Sequence, residues 1–551
     1  MNTDYGSLVE QILRQRNLAD ADSISRFLKP SYELHLHDPW LMPDMKSAVE
    51  RIEKAHEAGE KVVIYGDYDI DGLTASTVLS EAFDAFGIEH DIYIPDRFEE
   101  GYGLNENALD EIAKMGADLV ITVDCGSVSF APIQHANSIG LDVIVTDHHT
   151  VGESLPEAIA VINPKRSDSK YPFIDLAGVG VAFKLVCALQ SRIDGLPKGQ
   201  EKWLLDLVAL GSVCDVVDLV DENRAIVYWG LKVASKTRRH GLRALAEVSD
   251  TNLNDINTTS FGFRFGPRLN ASGRLENARK SLDLLRAKSA SEAHVFAQDL
   301  DRLNSERRTL QTRIFNEADE LAGESQDPVL ILGGKGWSQG VVGIVAAKLL
   351  EKYKKPTFVF EMLGETMKGS ARSYGDFKAV DAVRAADTFL ISGGGHAAAA
   401  GCTLATENFE HFKAAVIDYY NSLGLNDQQA LLKPGEDLVL ESSNAANLEF
   451  LTHLSQLEPH GNANPRPIFR MNELEILDIR FMGQSGDHVR VKLLDKFQHS
   501  AEAIGFNMKE DFENLDTNQI NIWFHIEKNV FRGIEKAQIR LVKVAKSHLL
   551  G

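Results

Sequence analysis

Acidic side chains and histidines stand directly after three apolar segments in the first third of the chain. Residues 66–72 (GDYDIDG) follow one segment, residues 124–126 (DCG) follow another, and residues 147–149 (DHH) follow a third. If these segments are strands of one parallel sheet, their carboxyl ends lie along one edge, where ligands bind. The sequence therefore predicts that five carboxylates and two imidazoles meet at one place.

Such a concentration of like charges needs a counter-ion. Carboxylates that are buried together repel one another, and each one buried without compensation costs several kcal/mol. A divalent cation removes this conflict, and oxygen ligands with some imidazole and no thiolate favour Mn²⁺ or Mg²⁺ over structural zinc. The ligands suffice for two cations that share one bridging carboxylate, an arrangement that hydrolyses phosphodiesters.

Each motif taken alone has a plainer interpretation. The segment from Asp67 to Asp71 could be an acidic turn or a calcium loop, although an EF-hand needs a longer loop that ends in Glu. The pair His148 and His149 could be a solvated surface pair. Three such motifs at three strand ends together favour the metal site.

The apolar segments predict the sheet that positions these residues. Short runs rich in β-branched residues alternate with helix-length segments, which is typical of parallel strands buried on both faces in a doubly wound α/β fold. The predicted strands cover residues 61–65, 91–95, 119–123, 141–146 and 158–162.

Beyond residue 176 the pattern becomes mostly helical and then returns to α/β. Residues 297–323 predict a long helix that connects two α/β regions. Further strands are predicted at residues 329–332 and 357–360. The apolar stripe of the connecting helix is predicted to contain Leu300, Leu303, Leu310, Ile314 and Leu321.

After Pro434 the hydrophobic period changes to two residues. Five short strands with polar turns are typical of a small Greek-key barrel of the OB type. Residues 522–551 carry six basic side chains against two acidic ones, which suits a groove that follows a single-stranded backbone. A generic β-domain with a solvated basic edge fits these residues equally well. The predicted strands cover residues 474–481, 488–494, 501–506, 520–526 and 538–544.

Length and composition narrow the class of protein. The 551 residues suggest three or four domains, and 44% apolar with 25% charged residues is ordinary for a globular protein. We find no secretory signal and no apolar run that could span a membrane, and four scattered cysteines indicate a reducing cytoplasm. The net charge of −22 argues against a protein that coats nucleic acid, so nucleic-acid binding must depend on local features.

The chemical motifs carry a resemblance to a known family. The chain resembles the DHH phosphoesterase superfamily and, within it, the RecJ family of single-stranded-DNA-specific 5′→3′ exonucleases. Residues 67–71, 123–126, 146–149 and 210–217 look like the four DHH motifs, and residues 369–373 and 393–397 look like the DHHA1 domain. Further similarity lies at residues 95–103, 266–274 and 303–308.

The resemblance implies a role for each residue of the metal site. Asp69, with Asp67 near it, would hold one Mn²⁺ or Mg²⁺, and Asp124 would bridge to a second ion. His149 would contact the scissile phosphate, and Asp147 would orient the histidine pair. The second ion would be held by Asp71, His148 and Asp215.

An exonuclease that starts at a 5′ end needs donors for the terminal phosphate. Arginine suits this task because it can contact a phosphate in a bidentate manner, although a surface ion pair is an equally good interpretation of any single arginine. Residues 393–396 are interpreted as a glycine-rich turn into a helix that binds an anion, or as tight helix–strand packing. The predicted phosphate and DNA contacts are Arg97, Tyr102, Arg268, Asn270, Arg274, Ser370, Arg372 and His396.

Two other features bear on ligands. Phe261, Phe263 and Phe265 alternate and could stack on bases, but packing in a core strand is the favoured interpretation. Residues 333–336 (GGKG) do not complete a Walker loop, so no ATP dependence is expected.

The motifs predict an α/β metal-dependent hydrolase, and the resemblance implies that it degrades single-stranded DNA from the 5′ end to mononucleotides. The resemblance implies a role in DNA recombination and repair, where single-stranded-DNA-binding protein and a helicase are possible partners. A cytoplasmic monomer is the default expectation. A DHH phosphoesterase for small substrates and a catalytically inactive DNA-binding scaffold are the alternatives. The expected domains are a lead-in (1–45), a DHH domain (46–295), a connecting helix (296–326), a DHHA1 domain (327–430) and an OB-type domain (431–551).

Overall fold

The chain folds into two units, and each contains segments that are distant in sequence. The computed structural model describes residues 4–101, 103–395, 398–425, 435–483 and 486–547. The larger unit contains Asp38–Asp215 and Gly230–Leu431, and the smaller unit contains Met1–His37, Val216–Trp229 and Leu432–Gly551. Among the described residues, no helix combines the length and apolarity that a membrane span requires.

The chain begins with short helices of the smaller unit. They are α1 (Tyr5–Gln15), α2 (Ala21–Leu28) and α3 (Tyr32–His35). The side chains of Asp4 and Asp20 accept hydrogen bonds from backbone amides in the first turns of α1 and α2, which satisfies amides that have no partner within the helix.

A five-stranded sheet forms the first part of the larger unit. All four strand pairings are parallel, and the order is β2-β1-β3-β4-β5. Every residue of β1 and β3 is buried, which explains their unbroken apolar sequences. The elements are α4 (Met45–Ala58), β1 (Val62–Gly66), α5 (Ile70–Phe86), β2 (His90–Tyr93), α6 (Glu106–Lys114), β3 (Leu119–Val123), α7 (Phe130–Ser138), β4 (Asp142–Thr146) and β5 (Ala160–Ile162).

Helices follow the sheet, as the sequence predicts. They are α8 (Gly178–Gln190), α9 (Leu205–Cys214), α10 (Asp221–Ala234), α11 (His240–Val248), α12 (Thr258–Ser260), α13 (Gly266–Leu275) and α14 (Arg279–Leu285). The expected core strand at Phe261, Phe263 and Phe265 is wrong, because Phe261–Phe265 form a π-helical turn. In that turn Phe261 and Phe265 are buried, whereas Phe263 is 80% exposed.

The connecting helix α15 (Ala290–Glu324) is longer than predicted. Leu300, Leu303 and Ile314 lie on its buried face, but Leu321 is 44% exposed, so its place in the apolar stripe is wrong. A seven-residue spacing drifts by about 20° per heptad around a straight helix. Three heptads after Leu300, position 321 has therefore left the buried face, and Ala318 and Ala322 occupy it.

A second five-stranded sheet follows α15, in the order β6-β7-β8-β10-β9. The β6–β7 pairing is parallel and the others are antiparallel. Its elements are β6 (Leu330–Lys335), α16 (Gln339–Tyr353), β7 (Thr357–Leu363), β8 (Thr366–Arg372), α17 (Ala379–Ala385), β9 (Leu390–Gly395), β10 (Ala399–Ala405) and α18 (Phe409–Ser422).

The glycines at 393–395 do not form a turn into a helix, so that interpretation is wrong. They end the edge strand β9 and pair with β10. A Cβ at Gly393 would come within 2.7 Å of the Val383 side chain on α17. Close packing of a helix on the strand, the other interpretation of this segment, therefore accounts for that glycine.

The C-terminal part of the smaller unit is a closed barrel, as predicted. Strand β12 pairs with both β13 and β15, which closes the cycle β12-β13-β14-β16-β15. Side chains from the barrel and from α1 share one apolar core. The elements are β11 (Leu438–Val439), α19 (Leu448–Leu454), β12 (Phe469–Met482), β13 (His488–Leu494), β14 (Ser500–Gly505), α20 (Lys509–Glu513), β15 (Gln519–Phe531) and β16 (Ile534–Lys546).

Candidate metal centre

The loop after β1 supplies three aspartates to one edge of the first sheet. Asp67 is buried directly after the strand, and Asp69 caps α5, where its side chain accepts a hydrogen bond from the Gly72 amide at 3.1 Å. Asp71 lies in the first turn of α5 and is 1% exposed. The alternation of aspartates in this segment thus places three carboxylates around the start of a single helix.

The carboxylate of Asp71 is held by a second helix. Its two oxygens accept hydrogen bonds from the backbone amides of Gly178 and Val179, at 2.6 and 2.9 Å. These amides begin α8, where the first-turn N–H groups have no partner within the helix and the helix dipole favours negative charge. Helix α8 therefore fixes the orientation of a carboxylate that the sheet edge alone would not position.

Asp124 follows β3 in a left-handed conformation with φ of 63°. An aspartate tolerates this conformation better than most residues, and it turns the side chain away from the strand direction. The Asp124 Oδ1 atom lies 3.1 Å from Nε2 of His148, which follows β4. Residues at the ends of two neighbouring strands therefore meet, as the sheet topology predicts.

Asp147 holds the histidine pair through several hydrogen bonds. Its Oδ1 accepts the backbone amides of His148 and His149 at 2.7 and 3.1 Å, and lies 2.8 Å from Nδ1 of His149. Its Oδ2 accepts the Ser127 amide at 2.9 Å. Asn163 donates to the His149 carbonyl and to the Ser127 hydroxyl, both at 2.9 Å. The loops after β3, β4 and β5 are thereby tied together.

Asp215 comes from a different part of the fold. It ends α9, and its Oδ2 lies 3.6 Å from Nε2 of His148. The same nitrogen lies 3.8 Å from Oδ2 of Asp71. A Cβ at Gly211 of α9 would lie 2.3 Å from the Thr74 hydroxyl, so a glycine is required where α9 passes α5. The fourth motif therefore joins the sheet-edge residues.

The structure brings all the sequence-predicted metal ligands together. Within each of three groups, the potential ligand atoms lie within 4.8 Å of one another. Asp124 belongs to two of the groups, which is where a bridging carboxylate would lie. The groups are Asp67 with Asp69 and Asp124, Asp71 with His148 and Asp215, and Asp124 with His148 and His149.

The electrostatics of the cluster fit a divalent cation. Burial, reinforced by neighbouring aspartates, raises the pKa of Asp71 to about 7 and that of Asp215 to about 9. The same causes raise the pKa of Asp67 and Asp124 well above the usual range. Within the described residues, Oδ1 of Asp67 is buried and accepts no hydrogen bond. A cation among these oxygens would replace the missing partner and offset the repulsion.

The two histidines differ in charge. Burial lowers the pKa of His148 to about 3, so this ring is neutral, as a metal ligand must be. Burial would also lower the pKa of His149, but the hydrogen bond and charge of Asp147 raise it above its ordinary value. His149 therefore favours the protonated form beside the carboxylate cluster.

Four arginines lie close enough to influence one another beside this cluster. Burial and the charges of Arg97, Arg307 and Arg372 lower the pKa of Arg274 to about 10, and Asp69 acts in the opposite direction. The Arg372 guanidinium donates to the Ser370 hydroxyl at 2.8 Å, and Arg97 lies 5.1 Å from the centre of the Tyr68 ring. This arginine cluster (Arg97, Arg274, Arg307 and Arg372) contains residues from before α15, from α15 itself and from after it.

The remaining predicted contacts are placed differently. Arg268 forms an ion pair with Asp301 at 2.8 Å and donates to backbone carbonyls, so its charge is already compensated. Asn270 is half-buried on α13. Tyr102 and His396 lie outside the described residues.

Several residues of the site were not predicted from the sequence. Gly178 and Gly343 allow close approach: a Cβ at Gly178 would lie 2.6 Å from Asp124 Oδ1, and one at Gly343 would lie 2.8 Å from the Arg372 guanidinium. Arg307 belongs to a motif that the sequence analysis noted, but its place in the site follows only from the structure, where its charge acts on Arg274 and its buried Nε has no hydrogen-bond partner among the described residues.

Comparisons with known proteins place these features in one family. Models of the DHH family N-terminal domain, the DHHA1 domain and the RecJ OB domain match residues 61–212, 326–422 and 437–543. The single-stranded-DNA-specific exonuclease RecJ of Bacillus subtilis (strain 168) is 35% identical over 98% of this chain and 68% of the relative. The protein of that name from Escherichia coli (strain K12) is 33% identical over 97% and 94%.

Solved structures agree with this assignment. RecJ from Thermus thermophilus in complex with Mn²⁺ superposes with a TM-score of 0.83 and 28% identity, covering 98% of this chain and 76% of that one. An exonuclease RecJ bound to manganese gives a TM-score of 0.62 and 35% identity, covering 71% and 97%. Domain content, full-length similarity and structure all confirm the resemblance seen in the motifs, and the chain belongs to the RecJ family.

Proposed function

We propose that this chain is a Mn²⁺- or Mg²⁺-dependent exonuclease that degrades single-stranded DNA from the 5′ end to mononucleotides. The observation that carries the proposal is that two clusters of opposite charge lie near each other in the larger unit, where the charge of Asp69 acts on the pKa of Arg274. The buried carboxylates suit divalent cations, and the arginine cluster beside them suits phosphate. The names of the relatives support single-stranded DNA as the substrate.

The carboxylate cluster would hold two cations. Asp67, Asp69 and Asp124 form one ligand group, and Asp71, His148 and Asp215 form another. Asp124 Oδ1 lies 3.1 Å from Nε2 of His148 and could therefore bridge the two groups. Bound cations would supply an activated water and would offset charge on the phosphate oxygens. The chain itself supplies a fixed, largely buried arrangement of oxygens, so little reorganisation is needed when substrate binds.

His149 would donate a hydrogen bond to the scissile phosphate. Asp147 lies 2.8 Å from its Nδ1, which fixes the ring and leaves Nε2 as the second donor of the protonated imidazole. The raised pKa of His149 favours the charged form of this donor. Asp147 thus acts on the substrate through the histidine, as a positioning residue.

The arginine cluster would bind the terminal 5′-phosphate. Arg274 and Arg372 are held by neighbours that consume only part of their hydrogen-bonding capacity: the Gly340 carbonyl for Arg274, and Ser370 and the Ala371 carbonyl for Arg372. A phosphate would lower the repulsion among these guanidinium groups. A phosphate site next to the metal centre sets the distance from the 5′ end to the bond that is cleaved.

The barrel would bind the single strand. Arg540 lies 5.2 Å from the centre of the Phe506 ring, and Lys543 lies 5.3 Å from that of Trp523. Phe506 is 52% exposed. Trp523 is buried, so Phe506 with Arg540 is the pair that fits OB-fold strand binding, where bases stack on exposed rings among basic side chains. We place the activity in DNA recombination and repair, with single-stranded-DNA-binding protein and a helicase as partners.

The proposal can be tested with oligonucleotides that carry a label at either end. We expect early release of a mononucleotide from the 5′ label in Mn²⁺ or Mg²⁺, with duplex DNA left intact. Asp124→Asn removes the shared carboxylate charge and should lower the rate about a hundredfold or more. Asp142→Asn is the matched control, because Asp142 begins the neighbouring strand β4 and pairs with Arg51.

Either of two outcomes would contradict the proposal. Release from the 3′ label first would refute the assigned polarity and the role of the arginine cluster. An absence of cleavage by the wild-type chain, with tight binding of the oligonucleotide, would instead favour a DNA-binding scaffold.

A further inference from the structure

A cavity opens on the larger unit, remote from the metal centre. Its volume is about 420 Å³, which lies in the usual range for small-molecule sites. Glu81 of α5 contributes to its wall, twelve residues after Asp69. At 1.5 Å per helical residue, the two positions are about 18 Å apart along the helix axis. The cavity is therefore separate from the carboxylate cluster.

The floor of this cavity is a fixed, compensated ion-pair network. Arg239 donates to Asp206 at 2.9 Å and also pairs with Glu81. The Thr237 hydroxyl donates to Asp206 at 2.8 Å. Asp206 is 2% exposed, so these groups are held in place and are not available to a ligand as free charges.

Two further arginines give the cavity an excess of positive charge. Arg238 and Arg286 line it, and neither forms an ion pair within the part of the chain that the structure describes. The cavity wall therefore carries three arginines against two carboxylates. In a chain with a net charge of −22, a concave surface of positive sign attracts anions.

An aromatic ring lies beside these two arginines. Trp203 lines the cavity and is 42% exposed, although tryptophan is normally well buried. The Arg238 guanidinium lies 5.3 Å from the centre of the Trp203 ring. An exposed indole with a guanidinium nearby can stack on a planar base, while the arginines bind an attached phosphate.

We propose that this cavity binds a nucleotide, with the base against Trp203 and the phosphate between Arg238 and Arg286. The size, the excess of positive charge and the exposed indole together fit this class of ligand. The same chemistry could come from a free nucleoside monophosphate or from one nucleotide of a DNA strand. The site goes beyond the proposed hydrolysis, because none of its residues belongs to the metal centre or the arginine cluster.

Calorimetric titration of the full chain with dAMP, with inorganic phosphate and with hexathymidylate tests this proposal. EDTA in the buffer removes divalent cations from the metal centre, and Arg372→Gln in every protein titrated weakens the phosphate site proposed for the arginine cluster, so that binding in the cavity is measured. We expect Trp203→Leu and the double variant Arg238→Glu with Arg286→Glu each to weaken dAMP binding about tenfold or more. Arg243→Glu is the matched control, since Arg243 is an exposed arginine of α11 that does not line the cavity.

The outcomes separate the sources and can overturn the proposal. If dAMP binds more tightly than hexathymidylate, the ligand is a free nucleotide. If hexathymidylate binds more tightly, and the same variants weaken its binding, the ligand is one nucleotide of a DNA strand. Equal affinity for dAMP and inorganic phosphate, or unchanged dAMP affinity in Trp203→Leu, refutes a nucleotide site. The titration measures binding and does not require nuclease activity. Its result therefore tests the nucleotide site independently of the proposed hydrolysis.

Discussion

The α-carbon of Gly178 lies directly against the carboxylate of Asp124: a Cβ at position 178 would be 2.6 Å from Oδ1 and 2.7 Å from the Asp124 Cβ. Gly178 begins α8, and its amide also donates to Asp71. Because Gly178 has no side chain, the start of α8 can bind the carboxylate of Asp71 and still leave room for that of Asp124. This contact couples α8 to the geometry of the metal centre.

Gly178→Ala should damage both the site and the fold. The added methyl group must displace a buried carboxylate, and overpacking of this kind costs about 1–3 kcal/mol of unfolding free energy. We expect a matching fall in thermal stability and at least a tenfold loss of nuclease activity, about the scale of a displaced ligand. Gly180→Ala is the control: its Cβ would meet a terminal methyl of Leu176 at 3.2 Å, and that side chain can move. Equal effects of both substitutions would refute the coupling.

Asp147→Asn should alter the pH dependence of activity. The carboxylate raises the pKa of His149 against the effect of burial, so an uncharged amide lets that pKa fall. The protonated donor is then lost at lower pH, and the alkaline limb of the rate profile should move to lower pH, with a loss of about tenfold near neutrality. Asp110→Asn disrupts another Asp–His pair, with His135 at 2.8 Å, and should leave the profile unchanged. If the alkaline limb does not shift in Asp147→Asn, the limb reports the deprotonation of a group other than His149.

The convergence of the proposed metal ligands that follow strands could be predicted from the sequence. Parallel strands bring their carboxyl ends to one edge, so Asp67, Asp124 and His148 meet whatever the details of packing. Asp215 was identified only through the family resemblance, because it ends a helix, and no periodicity places the end of α9 beside the sheet edge.

Contacts between helices were the part that sequence patterns did not reveal. The amide contacts of Asp71, the glycine at 178 and the place of Arg307 depend on how α8 and α15 pack, and composition does not encode this. The exposed Leu321 shows the same limit, because a seven-residue spacing approximates a helical period that is slightly longer.

Divalent cations should stabilise the larger unit, and more strongly at higher pH. Burial raises the pKa of Asp71 to about 7 and that of Asp215 to about 9, and these protons must leave before a cation binds. Cation affinity should therefore rise from pH 6 to pH 8.5. When the free cation concentration is a hundred times the dissociation constant, the free energy of unfolding rises by about 2.7 kcal/mol. Thermal unfolding with Mn²⁺ and with EDTA, at both pH values, measures this stabilisation. Asp124→Asn should abolish the gain, and a larger gain at pH 6 would contradict the assignment.

Arg224 should be essential to the smaller unit. Its guanidinium lies 3.6 Å from the centre of the Phe27 ring and donates to five backbone carbonyls, those of Phe27 and of residues 456–459. Arg224→Met leaves these carbonyls without donors, which should cost about 3 kcal/mol or more. Urea unfolding and amide exchange in the barrel measure the loss. Arg26 is an exposed arginine of α2, and Arg26→Met should change the free energy of unfolding little. If the Arg224→Met and Arg26→Met variants were equally stable, this role for Arg224 would be refuted.

Arg372→Gln should reduce the discrimination between 5′-phosphate and 5′-hydroxyl ends. Arg372 is part of the arginine cluster, and Gly343 leaves the space that brings its guanidinium against α16. A charge-assisted contact to a terminal phosphate is worth about tenfold or more in the preference for the phosphorylated end. The preference is the ratio of kcat/KM values for two otherwise identical oligonucleotides. Arg302→Gln, an exposed arginine of α15 paired with Asp299 and Glu306, should leave that ratio unchanged. If Arg372→Gln lowered both kcat/KM values equally, Arg372 would support the site without recognising the 5′-phosphate. Other residues would then have to determine the polarity.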